Sequence, residues 1–171
     1  MNFELLYKQY ADLVYTICLN YLQNSADAAD ATQEIFVKIY RNLASFKGNS
    51  SPKTWIYRIS INYCKDVLKS KKRKHRLAYM RSLFAVSETL NNKIQSFDHP
   101  GIILEQKEAT AALFKQINKL PANQKTALIL SKIDGLSYQE VAQIMQKSPK
   151  SVESLVQRAK KNLKNSMNTE G

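Results

Sequence analysis

Apolar side chains recur at helical intervals along most of this chain. Phe3, Leu6, Tyr7, Tyr10, Leu13, Val14, Ile17, Cys18, Tyr21 and Leu22 form the stripe of an amphipathic helix, and Asn2 is placed to cap its start. Ser25 reads as the N-cap of a second helix. Asp27 and Asp30 suit the positive end of that helix, and Ala31, Ile35, Phe36, Ile39 and Leu43 carry its core face to an end near Phe46. Lys47 to Ser50 form a short polar loop containing Gly48. Ser51 as N-cap and Pro52 at the first helical position then open a third helix, which bears Trp55, Ile56, Ile59, Tyr63 and Val67.

The periodicity lapses from Leu77 to His99, and Asp98-His99-Pro100-Gly101 reads as a turn or linker. The chain therefore divides into a first lobe over 1–76, a linker over 77–101 and a second lobe over 102–171. In the second lobe a helix from Ile102 to Lys119 stops at Leu120-Pro121, and another from Ala122 to Ile133 stops at Asp134-Gly135. Ser137-Tyr138-Gln139-Glu140 is a capping box, with Leu136 and Val141 placed as a hydrophobic staple. The short helix it starts ends near Met145 or Gln146. Ser148-Pro149 opens the next one, which is helix-turn-helix spacing. The predicted fold class is all-α: two small helical domains joined by a flexible linker, the second with a helix-turn-helix.

Composition narrows the possibilities. At 44% hydrophobic and 23% charged residues, each lobe can bury a core. Only 4 Gly and 4 Pro argue against collagen-like and many-turned β architectures. The 26 basic against 14 acidic residues leave a net charge of +12, which points to a polyanion such as nucleic acid. Charge alone also allows a ribosomal or membrane-surface role. The surplus is concentrated, because residues 69–81 carry seven basic side chains and no acidic one. Cys18 and Cys64 lie in apolar-patterned stretches without CxxC spacing and read as structural thiols. No apolar run spans a membrane and no leader segment is evident, so the expected location is cytoplasmic. Phosphate-loop, zinc-protease and Cys/His metal spacings are all missing from the sequence. The expectation is a protein that is not an enzyme, with no cofactor, no metal and no small-molecule substrate.

Candidate chemistry lies on three helical faces. On the last helix Val152, Val156, Ala159 and Leu163 share the core side. Lys150, Ser154, Gln157, Arg158 and Lys161 lie opposite, a set that can read purine edges and phosphates. On the third helix Thr54, Arg58, Asn62, Lys65 and Lys69 form a polar stripe that can track a nucleic-acid backbone. Phe46, Trp55, Tyr57 and Tyr63 lie beside it as possible stacking surfaces, although Trp55 and Tyr63 have core spacing. Asp27, Asp30, Gln33, Glu34 and Arg41 line the outer face of the second helix, which by default is a solvated face.

The run Asp27-Ala-Ala-Asp30-Ala-Thr-Gln33-Glu34-Ile-Phe36-Val-Lys38, the loop Phe46-Lys-Gly-Asn-Ser-Ser, and Thr54-Trp55-Ile-Tyr-Arg58-Ile-Ser-Ile-Asn62 resemble domain two of bacterial extracytoplasmic-function sigma factors. Leu120-Pro121 and Gly135-Leu-Ser-Tyr-Gln-Glu-Val-Ala142, ending in Arg158-Ala159, resemble their domain four. The resemblance implies a transcription initiation factor that binds core RNA polymerase and directs it to promoter DNA. It implies that Asp27, Asp30, Gln33, Glu34 and Lys38 dock on polymerase. It further implies that Phe46, Lys47, Asn49, Ser50 and Ser51 capture a flipped minus-ten base, with Thr54, Arg58, Asn62 and Lys65 contacting the melted element. Ser148, Lys150, Ser151, Glu153, Ser154, Gln157, Arg158 and Lys161 would then read the minus-thirty-five element. Glu153 and Leu155 stand where the family often carries basic residues. An anti-sigma factor is a further partner that the family admits. Two other readings compete, a stand-alone helix-turn-helix regulator whose first lobe binds an effector or dimerises, and a basic RNA-binding scaffold.

Overall fold

The computed structural model describes residues 2–84 and 104–169. Helices α1 (Phe3–Leu22), α2 (Ser25–Asn42) and α3 (Pro52–Phe84) build the first lobe. Helices α4 (Leu104–Lys119), α5 (Ala122–Leu128), α6 (Tyr138–Met145) and α7 (Pro149–Thr169) build the second. A 3₁₀ turn over Leu43–Ser45 follows α2, and a wide π-type turn over Ile129–Ile133 extends α5.

The local signals act as their chemistry requires. Asn2 Oδ1 accepts from the Glu4 N–H at 2.8 Å and caps α1. In the Ser137 capping box, the Ser137 N–H donates to Glu140 Oε2 at 2.8 Å, and the Glu140 N–H returns a bond to Ser137 Oγ at 3.3 Å. Ser148 Oγ likewise accepts from the Ser151 N–H at the start of α7, at 3.2 Å. Two expectations need correction. The cap of α2 is Asn24, whose extended backbone lets Oδ1 accept from the Asp27 N–H at 2.8 Å, and Ser25 is the first helical residue. Helix α3 also runs past Arg76 to Phe84. Its residues 72–81 are exposed, and strong helix formers and the lack of a breaker favour the helix there. The rest of the expected linker, from 85 to 101, lies outside the described residues.

Val14, Ile17, Cys18, Ile35, Ile39, Ile56 and Cys64 are wholly buried where α1, α2 and α3 meet. The free thiols of Cys18 and Cys64 lie 3.9 Å apart inside this core. In the second lobe Ile129, Leu130, Val141, Val152, Val156 and Ala159 are wholly buried between the α5 segment, α6 and α7. Helix α3 also packs against α6, so the two lobes share a seam.

Candidate nucleic-acid and polymerase interfaces

The loop after α2 is shaped by Gly48, whose φ of +71° suits glycine, and closed by Ser51. Ser51 Oγ accepts from the Thr54 N–H at 3.1 Å and donates to Thr54 Oγ1 at 2.9 Å. Thr54 is buried and holds the loop through these bonds, whereas the sequence stripe faces it outward. Lys47 and Asn49 are exposed, and Phe46 and Ser50 are half-buried. The ring of Phe46 leans on Trp55, with centroids 4.8 Å apart and planes tilted by 43°. Tyr57 is 3% exposed and belongs to the core.

The stripe beyond this loop faces the second lobe. Arg58 Nη2 donates to the backbone carbonyl of Gln143 in α6 at 2.7 Å. Arg58, Asn62 and Lys65 together with Asn123, Thr126 and Met145 enclose a cleft of about 150 Å³. Burial, with Lys147 nearby, pulls the Lys65 ammonium below its ordinary pKa. Only Asn62 of the three is freely exposed. Two further bonds close the seam: Asn20 Nδ2 donates to Asp134 Oδ1 at 2.9 Å, and Lys125 Nζ donates to the Tyr21 carbonyl at 3.2 Å. Sequence patterns missed these seam residues because each bond joins residues more than a hundred positions apart.

Helix α7 presents its predicted face without obstruction. Lys150, Glu153, Ser154, Gln157, Arg158 and Lys161 are exposed, Ser148 is exposed at the cap, and Ser151 is half-buried. On α2, Asp30, Gln33, Glu34 and Lys38 are exposed on one side. The Lys38 ammonium lies 5.0 Å from the Tyr63 ring centroid. Asp27 differs from them, because its carboxylate is ion-paired with Lys71 of α3 and ties the two helices together. It is thus already engaged within the lobe, at about one-third side-chain exposure. Among the described residues no cluster of three or more His, Cys, Asp or Glu side chains could hold a metal, and no helix is long and apolar enough to cross a membrane.

Residues 6–74 match the family model described as sigma-70 region 2, and residues 110–163 match sigma-70 region 4. The sigma-E factor of Escherichia coli strain K12, an extracytoplasmic-function (ECF) RNA polymerase sigma factor, is 32% identical over 163 residues. That alignment covers 95% of this chain and 85% of the relative. The chain belongs to the ECF RNA polymerase sigma factors. The Haemophilus influenzae sigma-E factor is similar at 31% identity, over 95% of this chain and 86% of its own length. Among solved structures, the sigma factor RpoE in complex with the anti-sigma factor NepR from Bartonella quintana shares the fold. Its TM-score is 0.64 at 21% identity, covering 99% of this chain and 98% of that one. CnrH in complex with the cytosolic domain of CnrY aligns with a TM-score of 0.66 at 18% identity, over 99% and 89% of the two chains. Function follows from membership: this sigma factor directs RNA polymerase to promoters, and it is not a stand-alone regulator.

Proposed function

We propose that this ECF sigma factor works in the cytoplasm through three separate surfaces and performs no catalysis of its own. Asp30, Gln33, Glu34 and Lys38 on α2 dock on core polymerase. The loop Phe46, Lys47, Asn49, Ser50 and Ser51 captures a flipped base of the minus-ten element, with Arg58, Asn62 and Lys65 following the melted strand. The exposed face of α7 reads the minus-thirty-five element. The observation that carries this division is the charge contrast between the open acidic edge Asp30/Glu34 and the basic α7 face, since a surface rich in carboxylates repels phosphates and suits a protein.

The α7 face is open in the free protein, whereas Arg58 and Lys65 face α6. Minus-ten contact therefore requires the two lobes to part, and the isolated protein binds duplex promoter DNA weakly. Two of the structural neighbours are captured with anti-sigma or cytosolic partner domains, and a restraining protein of that kind is the further partner proposed here.

Co-purification with core polymerase followed by run-off transcription tests the reading. Asp30→Lys combined with Glu34→Lys should weaken polymerase binding although it raises the positive charge, because charge complementarity at a rim mainly sets association rate. Normal polymerase binding by this variant would remove α2 from the docking surface.

A further inference from the structure

The seam between the lobes holds a buried cation without a counter-charge. Lys125 on α5 is 5% exposed. Its ammonium donates to the Tyr21 carbonyl at 3.2 Å and to Asn118 Oδ1 at 2.6 Å, and lies 5.4 Å from the Tyr21 ring centroid. Both acceptors are neutral, and among the described residues no carboxylate forms an ion pair with it. Withdrawing an ammonium from water without a paired anion is costly. Burial accordingly pulls its pKa down to about 8.

A cavity of about 590 Å³ between α1, α3, α4 and α5 is lined in part by Lys125 and by its two acceptor residues, Tyr21 and Asn118. Leu22, Leu68 and Leu120 supply apolar walls, Lys69 and Lys72 add basic groups, and Asp66 is the one carboxylate among its lining residues. The size matches the range of small-molecule sites, which are mostly apolar with a few placed polar groups and favour domain interfaces. A bare inorganic anion would leave the leucines wet. A nucleic-acid backbone would meet the exposed lysines of α3 but not the buried one.

We propose that this cavity binds a small anionic amphiphile, a carboxylate or phosphate head on an apolar chain, with its head on Lys125 and its chain along Leu22, Leu68 and Leu120. Such a ligand touches both lobes and favours their closed arrangement by mass action. On the proposed reading, in which minus-ten contact needs the lobes apart, such binding opposes that contact.

The test is calorimetric titration of the full chain with octanoate, octyl phosphate, octanol and inorganic phosphate, each below its micelle-forming concentration where one exists. At least one octyl anion should bind about tenfold or more tightly than octanol, the difference expected of a charge-assisted contact, and more tightly than inorganic phosphate. Whichever head binds better identifies the ligand's source chemistry. Lys125→Met should abolish the preference over octanol without lowering the thermal midpoint, since it removes an uncompensated buried charge. Lys69→Met, at an exposed position, should keep the preference. Equal affinity for octanol, full competition by inorganic phosphate, or an unchanged preference in Lys125→Met would each overturn the proposal. Silence from both octyl anions would also overturn it, and binding of an acidic helical peptide in their place would assign the cavity to a protein partner.

Discussion

The guanidinium of Arg58 hydrogen-bonds a backbone carbonyl, that of Gln143, 85 residues further along the chain. The contact is incomplete, because Arg58 Nε is buried without a partner, and an unmet buried donor offsets much of what the bond contributes. Arg58→Ala should therefore act twice. In the free protein it should widen the distance distribution between spin labels on α2 and α7. With core polymerase it should slow promoter melting more than upstream-element binding, as read by permanganate footprinting. Unchanged melting on a duplex template would reduce Arg58 to a seam residue.

The seam should depend on pH in two opposite limbs. Asp134 Oδ1 accepts from Asn20, while Oδ2 is buried and unpartnered. Burial raises this carboxyl to about 6 from an ordinary 3.8. Its contribution to closure is thus fully present below the ordinary value and is lost as pH rises through about 6. Lys125 is depressed from 10.5 to about 8, so its contribution is present above the ordinary value and lost as pH falls through about 8. Tyr57 of α3 and Tyr21 of α1 also face Asp134, and burial holds both phenols neutral across this range. Closure should therefore be weakest between about pH 6 and 8. Asp134→Asn should flatten the acidic limb of the label-distance profile and leave the alkaline limb intact.

Phe46 and Trp55 separate binding from stability. Trp55 is half-buried, so Trp55→Ala should cost less than the ~3 to 5 kcal/mol of a fully buried ring. Phe46→Ala should lose the ring contact, about 0.5–1.5 kcal/mol, together with about 1–3 kcal/mol of base stacking. A fluorescent base analogue in the minus-ten element of a polymerase complex would report the second loss, and thermal unfolding the first. A shift in unfolding with no change in base fluorescence would assign Phe46 to the loop alone.

Glu153 sits on the open face of α7 beside Gln157. A carboxylate in the major groove can accept from cytosine N4, so Glu153→Gln should change preference at one upstream position by at most ~1 to 3 kcal/mol. Selection from randomised upstream elements would show it. An identical preference in both proteins would leave Glu153 outside the reading set.

What the sequence disclosed tracks how local each interaction is. The Ser137–Glu140 box joins residues three positions apart and was legible outright, as were the α7 core residues Val152, Val156 and Ala159. Asn24 and Ser25 are adjacent oxygen-bearing side chains, and only the backbone angle separates cap from first turn. The reach of α3 past Arg76 was hidden because residues 72–81 are exposed and the apolar positions Leu77 and Met80 are too few to set a core face. Asp27 looks like any acidic helix start, yet its ion-pair partner Lys71 lies 44 residues away. Lys125 gave a weak signal as a lone cation entering the buried run Thr126-Ala127-Leu128-Ile129-Leu130, but nothing local shows that Tyr21 and Asn118 receive it.

The wide turn after α5 bears on how the chain can change in length. The Asp134 N–H reaches back to the Ile129 carbonyl at 2.9 Å, one residue further than a regular α-turn spans. Losing one residue there, such as the exposed Lys132, restores the ordinary four-residue spacing and delivers Gly135, α6 and α7 in unchanged phase. The same loss inside α7 turns everything beyond it through about 100° and carries Arg158 or Lys161 away from the exposed face they share with Lys150 and Ser154. Single-residue length differences among close relatives should therefore collect at residues 129–133 and be missing from 150–161.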